Sequence, residues 1–217
     1  MKFGTIGLWM LFVLLSGNLF TQTGENIPLP APDKSGGIPL MAALSKRRSV
    51  REFSSRPIPL SILSNLLWAA NGVNDHSTGK RTAPSAYNAQ EIDIYVSLKE
   101  GAFLYHHDRH QLVQVLDENI QALTGTQDFV AVAPVNLIFV ADYSKLREKH
   151  LSNNKQAFFG ATDTGFISQN IYLFCASEGL ATVVRDWVKR DQLHHKLKLR
   201  QDQSIILTQS VGYPGTD

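Results

Sequence analysis

Residues 135–141, Val-Asn-Leu-Ile-Phe-Val-Ala, are a nearly continuous apolar run that begins directly after Pro134. A run of this length that is rich in β-branched and aromatic residues is typical of a strand with both faces covered. We therefore expect a buried central strand at this position.

The alternation of apolar and polar residues indicates the other strands. Residues 92–98 alternate in this way, which predicts a half-buried strand. Gly101 provides a turn, after which residues 103–105 are expected to pair back as a hairpin. Residues 204–211 are predicted to form the last strand.

Apolar residues spaced at three and four predict several helices. The predicted helices are residues 40–44, running into Lys46; a helix from near Ser61 to Asn71-Gly72; residues 112–123; residues 161–177, ended by Gly179; and residues 191–197, with Asp191 as a cap. Asn71-Gly72 is expected to end its helix because such residues tolerate positive φ. Helices and strands intermixed in this way predict an α+β fold with a small central sheet.

The N-terminal segment differs from the rest of the chain. Residues 1–2 are a short basic start, residues 6–15 are almost wholly apolar, and polar residues follow. This is typical of a signal peptide and short for a membrane-spanning helix, which needs roughly 20 apolar residues. We therefore expect a signal peptide at 1–23, a proline-containing extended linker at 24–38 and the folded domain at 39–217. Export to a periplasm is the expected consequence, and an uncleaved segment would instead anchor the protein in the membrane.

The composition indicates one globular domain. The chain has 217 residues, of which 43% are hydrophobic and 18% are charged. Its net charge of +2 is too small to indicate binding to nucleic acid or to an anionic membrane surface. Cys175 is the single cysteine, which excludes an intramolecular disulfide and a cysteine-based zinc site. It lies on the apolar side of a predicted helix, so we expect an inert core thiol.

The first candidate binding segment is Arg47-Arg48-Ser49-Val50-Arg51, at the end of the first predicted helix. Guanidinium groups suit phosphate oxygens, and the serine hydroxyl adds a short hydrogen bond. By charge alone, a solvated basic face is the more common explanation of such a cluster.

The second candidate is residues 82–90, Thr-Ala-Pro-Ser-Ala-Tyr-Asn-Ala-Gln, which lead into the strand at 92–98. Small residues let a planar ligand lie against the backbone, and Ser85, Asn88 and Gln90 offer polar contacts at its edge. A capped turn before a strand explains the same residues without a ligand.

The third candidate is residues 163–170, in the longest predicted helix. Asp163 and Asn170 are seven residues apart and are predicted to share a face with Phe166 and Ile167. Polar groups on an apolar stripe need partners. A subunit interface, a network near a ligand or a satisfied buried network would supply them.

The segment His106-His107-Asp108-Arg109-His110 is the cluster that suggests a metal enzyme. His107 and His110, at i and i+3, would share a metal ion if the segment were helical. The alternative is a polar turn between a strand and a helix. We favour the turn and predict no metal site.

Together, these segments resemble the nitroreductase family in order and spacing over residues 40–214. The resemblance rests on Arg47-Arg48-Ser49-Val50-Arg51-Glu52-Phe53; Pro84-Ser85-Ala86-Tyr87-Asn88-Ala89-Gln90; Asp163, Gly165, Gln169 and Asn170; Gly179-Leu180-Ala181-Thr182; and Gly212-Tyr213-Pro214. Residues 67–73, Leu-Trp-Ala-Ala-Asn-Gly-Val, resemble the corresponding segment in the branch of the family that includes the thiazoline and oxazoline dehydrogenases.

The resemblance implies a nitroreductase-like fold, with a central, mainly antiparallel sheet flanked by helices, and an intertwined homodimer with FMN at its interface. It implies hydride transfer through flavin N5 between a donor and a small organic acceptor such as a nitro compound or a quinone. The implied cofactor-binding residues are Arg47, Arg48, Ser49 and Arg51 for the ribityl phosphate and pyrimidine edge; Pro84, Ser85, Ala86 and Asn88 for the ring, some from the partner subunit; and Val183, Val184 and Arg185 near N5.

Two features depart from the family pattern. No basic residue follows Gly212-Tyr213-Pro214, where one often grips the phosphate, and Arg185-Asp186-Trp187 replaces smaller residues. Trp187 would therefore cover or block the flavin face, and Tyr87 and Arg185 are candidates to gate or steer substrate. Export would also separate the protein from nicotinamide nucleotides, so the donor is open. The alternatives are an exported flavin-binding or dimeric module with a degraded active site, and a dehydrogenase of azoline-like substrates.

Overall fold

The structure is a computed structural model of the chain, and it describes residues 26–215. Its elements in chain order are β1 (Asn26–Pro28), α1 (Leu40–Lys46), α2 (Leu60–Asn71), β2 (Val73–Asp75), β3 (Lys80–Arg81), β4 (Ile92–Leu98), β5 (Gly101–His106), β6 (Gln111–Leu116), α3 (Phe129–Val132), β7 (Val135–Asp142), α4 (Asn153–Glu178), β8 (Ala181–Arg185), α5 (Arg190–Lys196) and β9 (Gln203–Gly212). Short 3₁₀ segments lie at 86–88, 121–123 and 143–149. The predicted signal peptide lies outside the described residues.

One antiparallel sheet of seven strands organises the fold, in the order β1-β6-β5-β4-β7-β9-β8. All eight residues of β7 are buried, and β4 and β9 pair with it on either side. This confirms the central strand predicted from residues 135–141. A separate hairpin of β2 and β3 occupies part of the polar stretch before β4.

Apolar layers cover both faces of the sheet. On one face, Phe139 packs in a core with Leu66 of α2 and Ile171 of α4. On the other face, Ile138 packs with Leu193 of α5. The strand predicted at 92–98 is confirmed as β4, but its predicted half-burial is wrong, because apolar layers cover both of its faces.

Two predicted segments have a different conformation. Residues 112–123 are not a helix: β6 pairs with β5 and β1, and a 3₁₀ turn follows at 121–123. The apolar residues of this segment fit period two as well as helical spacing, and strand pairing decides between them. The described part of the predicted linker, residues 26–38, is not a free linker, because β1 joins the sheet edge and Leu29 is buried. The fold therefore begins before Pro39.

Helix α4 spans 26 residues and begins earlier than predicted, with Ser152 as its N-cap. It ends at Gly179, whose φ of 69° is the left-handed cap expected there. Ile167 faces the core, whereas Phe166 is 44% exposed, so the two do not share a face as predicted. Within residues 26–215, no helix is long and apolar enough to cross a membrane.

Two helix termini differ in detail from their predictions. Gly72 ends α2 with a φ of −75°, so positive φ is not the reason for glycine. An added Cβ would lie 2.5 Å from Cδ1 of Trp68, so close approach is the reason. Helix α5 begins at Arg190, and its N-cap is Lys189 without a side-chain hydrogen bond, so Asp191 is not the cap.

Candidate functional site

The arginine segment, residues 47–51, leaves α1 as extended backbone and runs along the free edge of β8. The amide of Val50 donates to the carbonyl of Thr182 at 3.0 Å. Beyond it, Ser54 N–H donates to Tyr213 O, and Gly215 N–H donates to Glu52 O. The segment is therefore held between the sheet edge and the end of the described chain.

The side chains of this segment are available to a ligand. Arg47 is half-buried, with its guanidinium 5.3 Å from the centroid of the Tyr172 ring, whereas Arg48, Ser49 and Arg51 are exposed. None of the three arginines forms an ion pair with a carboxylate among the residues that the structure describes. Three uncompensated cations beside a hydroxyl suit an anionic group such as a phosphate.

Tyr172 of α4 connects the arginine segment to β8. Its hydroxyl lies 2.8 Å from Ser49 Oγ and accepts a hydrogen bond from the amide of Val184 at 3.0 Å. The sequence analysis did not identify Tyr172. A tyrosine on the buried face of a helix needs a partner for its hydroxyl, which is the one signal that would have pointed to it.

Strand β8 places its three predicted residues differently. The amide of Val184 is already bonded to Tyr172, and Val183 is buried. The side chain of Arg185 turns inward and donates to Thr124 O, Asn136 Oδ1 and Ser210 Oγ. Its predicted role as a gate for substrate is therefore wrong, because Arg185 is only 6% exposed and its guanidinium is bonded to the protein's own interior groups.

The proline–serine loop, residues 84–90, is the second part of the site. Tyr87, Asn88 and Gln90 have φ values of 55°, 53° and 52°, in the left-handed region that disfavours side chains. Gln90 N–H donates to Ser85 Oγ, and Gln90 Nε2–H donates to Gly79 O. Strained backbone of this kind persists only where surrounding contacts hold it, and it concentrates at functional sites.

Asp163 of α4 anchors this loop. Its Oδ2 accepts a hydrogen bond from the amide of Ala86 at 2.8 Å, and the side chain is 2% exposed. Pro84 and Asn88 are exposed, while Ser85 and Ala86 are half-buried behind them. The predicted ring-lining residues therefore form one exposed surface that is fixed from below by a buried carboxylate.

The arginine segment and the proline–serine loop attach to opposite faces of α4. Their anchors, Tyr172 and Asp163, are nine residues apart, which is about 14 Å along the axis and about 180° around it. Asn170, between them, donates a hydrogen bond to Ala70 O of α2. Within one chain, the two predicted halves of the site therefore do not converge.

A groove of about 480 Å³ lies between residues 33–38, α1, α2 and α4. Trp68, Asn170 and Phe174 contribute to its lining, and none of the eleven predicted cofactor residues does. The arginine segment and the proline–serine loop are therefore open surfaces outside this groove.

The histidines of residues 106–110 have structural roles. They lie at the turn between β5 and β6, so the predicted helix after this turn is wrong. His107 Nδ1 bonds to Asn71 O, and burial lowers the pKa of His107 to about 3. His110 lies between Ser64 Oγ and Tyr105 OH. Cys175 is buried, and burial raises the pKa of its thiol, which confirms the core assignment.

The two departures noted in the sequence have clear positions. Trp187, just after β8, is 69% exposed. Arg56 places its guanidinium 4.2 Å from the centroid of the Tyr213 ring. A cation therefore lies beside Gly212-Tyr213-Pro214 although no basic residue follows these residues in the sequence.

Comparison with known proteins gives consistent results over nearly the whole domain. A model of the nitroreductase family matches residues 44–213. A nitroreductase-like protein of Methanocaldococcus jannaschii is 35% identical over 194 residues, covering 85% of this chain and 96% of the relative. The crystal structure of a nitroreductase-like protein from Ralstonia eutropha is 42% identical, with a TM-score of 0.83 over 88% of this chain and 90% of that one.

A more distant structure, the NADPH:FMN oxidoreductase of Vibrio harveyi in complex with NAD⁺, is 20% identical. Its TM-score is 0.61 over 82% of this chain and 69% of that chain. At this identity the likeness concerns the fold alone. It agrees with the α+β architecture of a large antiparallel sheet flanked by helices.

Proposed function

The chain belongs to the nitroreductase family and is an oxidoreductase, and on that premise we propose that it binds FMN and transfers hydride from an electron donor to a small organic acceptor. The observation that carries this proposal is the arginine segment, whose three cations have no carboxylate partner among the described residues. FMN is anionic, and the structurally similar Vibrio harveyi protein is an NADPH:FMN oxidoreductase.

The arginine segment would hold the phosphate and the pyrimidine edge of FMN. Guanidinium groups form charge-assisted hydrogen bonds to such oxygens, and Ser49 is oriented by its contact with Tyr172. Arg56, beside Tyr213, offers a further cation at this surface. A cationic edge also favours the reduced, anionic form of the ring.

The proline–serine loop would line the ring, and we propose that a second copy of the chain supplies it. The support for this is the placement of the two segments on opposite faces of α4, which prevents one chain from enclosing one ligand. Exposed apolar side chains near these segments, including Met41, Phe158 and Phe166, suit a covered interface. A homodimer with two equivalent sites follows from this arrangement.

The chemistry divides between the cofactor and the chain. FMN supplies hydride transfer at its N5 atom when it is bound. The residues of this chain position the ligands, exclude water and set the local charge. Tyr87 and Trp187, both exposed, offer aromatic surfaces to a planar acceptor such as a nitro compound or a quinone.

We also propose that the protein is exported, from the signal-like composition of residues 1–23. Outside the cytoplasm, an electron donor other than a nicotinamide nucleotide would be required. A dehydrogenase that oxidises a small azoline-like substrate is the second candidate function under those conditions. Mass spectrometry of protein from the periplasmic and cytoplasmic fractions would test export. A protein found only in the cytoplasm with an intact N-terminus would contradict export.

The first experiment is a visible absorption spectrum of protein that lacks residues 1–23, dialysed with FMN and passed through a sizing column. We expect flavin bands that co-elute with a dimer. Arg47→Ala should weaken FMN binding by about tenfold or more, since a charge-assisted hydrogen bond contributes about 1.5–3 kcal/mol.

The matched control is Arg109→Ala, which removes an exposed arginine from the turn between β5 and β6. It should leave FMN affinity unchanged. A colourless protein that does not bind added FMN would contradict the proposal. Bound flavin that no donor reduces would instead support a flavin-binding module with a degraded active site.

A further inference from the structure

Glu91 is a fully buried acidic residue whose carboxyl group has no hydrogen-bond partner among the described residues. It lies between the proline–serine loop and β4, and its side chain is 0% exposed. An ionised carboxylate is not tolerated in such a position without compensation, because burial removes its hydration.

The charged group that interacts most strongly with Glu91 is Asp163, the buried carboxylate that anchors the loop through the Ala86 amide. Helix α4 approaches the sheet closely here, since a Cβ added to Gly160 would lie 3.2 Å from Cβ of Ala141. Two buried carboxyl groups that face each other cannot both ionise without a large cost.

The segment after β7 supplies the remaining groups that face Glu91. Tyr143 interacts with it electrostatically, and so does Lys145. The ammonium of Lys145 is already bonded to Asp93 Oδ1 at 2.7 Å and to Gln90 O at 3.3 Å. Its charge is therefore shared with the loop and with another carboxylate, and it does not neutralise Glu91.

We propose that Glu91 is a positioning residue that stays protonated and donates a hydrogen bond to Asp163, so that the pair carries one negative charge and locks the proline–serine loop. Loss of the shared proton places two charges in the same buried space and releases the loop. The proton thus couples the pH of the surroundings to the shape of the surface that would line the flavin.

The pH dependence has a definite sign. Burial, followed by the interaction with Asp163, raises the pKa of Glu91 from its ordinary 4.5 to about 7. A carboxyl whose pKa is higher in the folded state stabilises the fold fully below about 4.5, and that contribution is lost as the pH rises through about 7. His107 and His110, whose pKa values are lowered by burial, act in the opposite direction.

The test compares the wild type with Glu91→Gln and Glu91→Ala at pH 5 and pH 9. Glutamine keeps a hydrogen-bond donor for Asp163 and cannot ionise. The wild type and Glu91→Gln contain the same histidines, so the histidine contributions cancel in the difference between their stabilities. From pH 5 to pH 9 we expect the melting temperature of the wild type to fall, relative to Glu91→Gln, by about 5 °C. Glu91→Ala should be less stable than Glu91→Gln at both pH values. A difference between wild type and Glu91→Gln that does not change with pH would overturn the proposal.

Hydrogen exchange of a peptide that covers residues 84–90 reports on the loop itself. After correction for intrinsic rates, the wild type at pH 8 should exchange roughly tenfold faster than Glu91→Gln, and equally fast at pH 5. Equal rates at both values would show that Glu91 does not lock the loop. FMN retention should follow the same pattern, and this last measurement alone rests on the proposed function. A loop that responds in protein that never binds FMN would contradict the proposed function and leave the role of Glu91 intact.

Discussion

The arginine segment and the proline–serine loop both contact α4, but they are held in opposite ways. The arginine segment lies on a surface whose polar groups are paired, through Tyr172, Thr182 and the strand edge. The proline–serine loop contains three left-handed residues and rests on a buried carboxylate with an unpaired neighbour.

The difference separates two ways of preparing a binding surface. Beneath the arginine segment, satisfied hydrogen bonds keep the backbone rigid, so its cations can face outward at little cost. In the loop, backbone strain of order 1 kcal/mol per residue must be balanced by tertiary contacts. Loss of one support should therefore affect the two regions to different extents.

The largest effect is expected in β8, the strand to which the arginine segment is hydrogen-bonded. Arg185→Ala removes three hydrogen bonds in the interior and leaves Thr124 O, Asn136 Oδ1 and Ser210 Oγ without this donor. Thr124 O keeps a second donor in Thr208 Oγ1, and Asn136 Oδ1 keeps one in Ser210 Oγ. A hydrogen bond to a charged group contributes about 1.5–3 kcal/mol, and the desolvation of the buried guanidinium offsets part of the sum, so we expect a loss of about 3 kcal/mol in the free energy of unfolding, measured in urea. Arg109→Ala, on the surface, should change it by less than about 0.5 kcal/mol. Similar losses of stability in Arg185→Ala and Arg109→Ala would show that the buried hydrogen bonds of Arg185 do not stabilise this region.

An intermediate effect is expected at Tyr172. Tyr172→Phe removes the contacts to Ser49 and to the Val184 amide and should destabilise the fold by about 1–2 kcal/mol. FMN binding should weaken by about tenfold, because Ser49 is no longer oriented. Exchange of residues 84–90 should not change, since their anchor is on the opposite face of α4.

A double-mutant cycle tests that link directly. Ser49→Ala in the Tyr172→Phe background should add little, because both changes remove the same hydrogen bond. Additive losses of FMN affinity would mean that the two residues act separately, and the contrast between the two regions would weaken.

The smallest effect is expected in the loop, where glycine should be more stable than alanine, the reverse of their usual order in a helix. At Tyr87, with φ of 55°, the glycine variant should be more stable than the alanine variant by about 1 kcal/mol, because alanine keeps the left-handed strain. At Ala157, exposed on α4, Ala157→Gly should instead cost about 1 kcal/mol. Thermal unfolding of the three variants measures both values. A Tyr87→Gly variant that is less stable than Tyr87→Ala would show that the backbone at residue 87 is not strained.

The site was only partly predictable from the sequence. The arginine segment and the proline–serine loop stand out because their residue types and order are local properties. Tyr172 and Glu91 did not stand out, since a tyrosine in a helix and a glutamate before a strand are ordinary locally. The sequence suggests Arg185 as a residue that gates or steers substrate. In the structure its side chain turns inward, because the alternation of β8 and the acceptors on Thr124, Asn136 and Ser210 decide its direction.

The sequence by itself determined the elements whose periodicity is strong: the buried run at 135–141, the hairpin after β4, the long helix ended by Gly179, and the order of the motifs. Only the tertiary structure decided that residues 111–116 pair as a strand, that residues 26–28 close the sheet edge, and that Asp163 and Glu91 share one buried space. The physical reason is that periodicity and turn chemistry act between neighbours in the chain. Strand pairing and the compensation of buried charge are settled between residues that only the fold brings together.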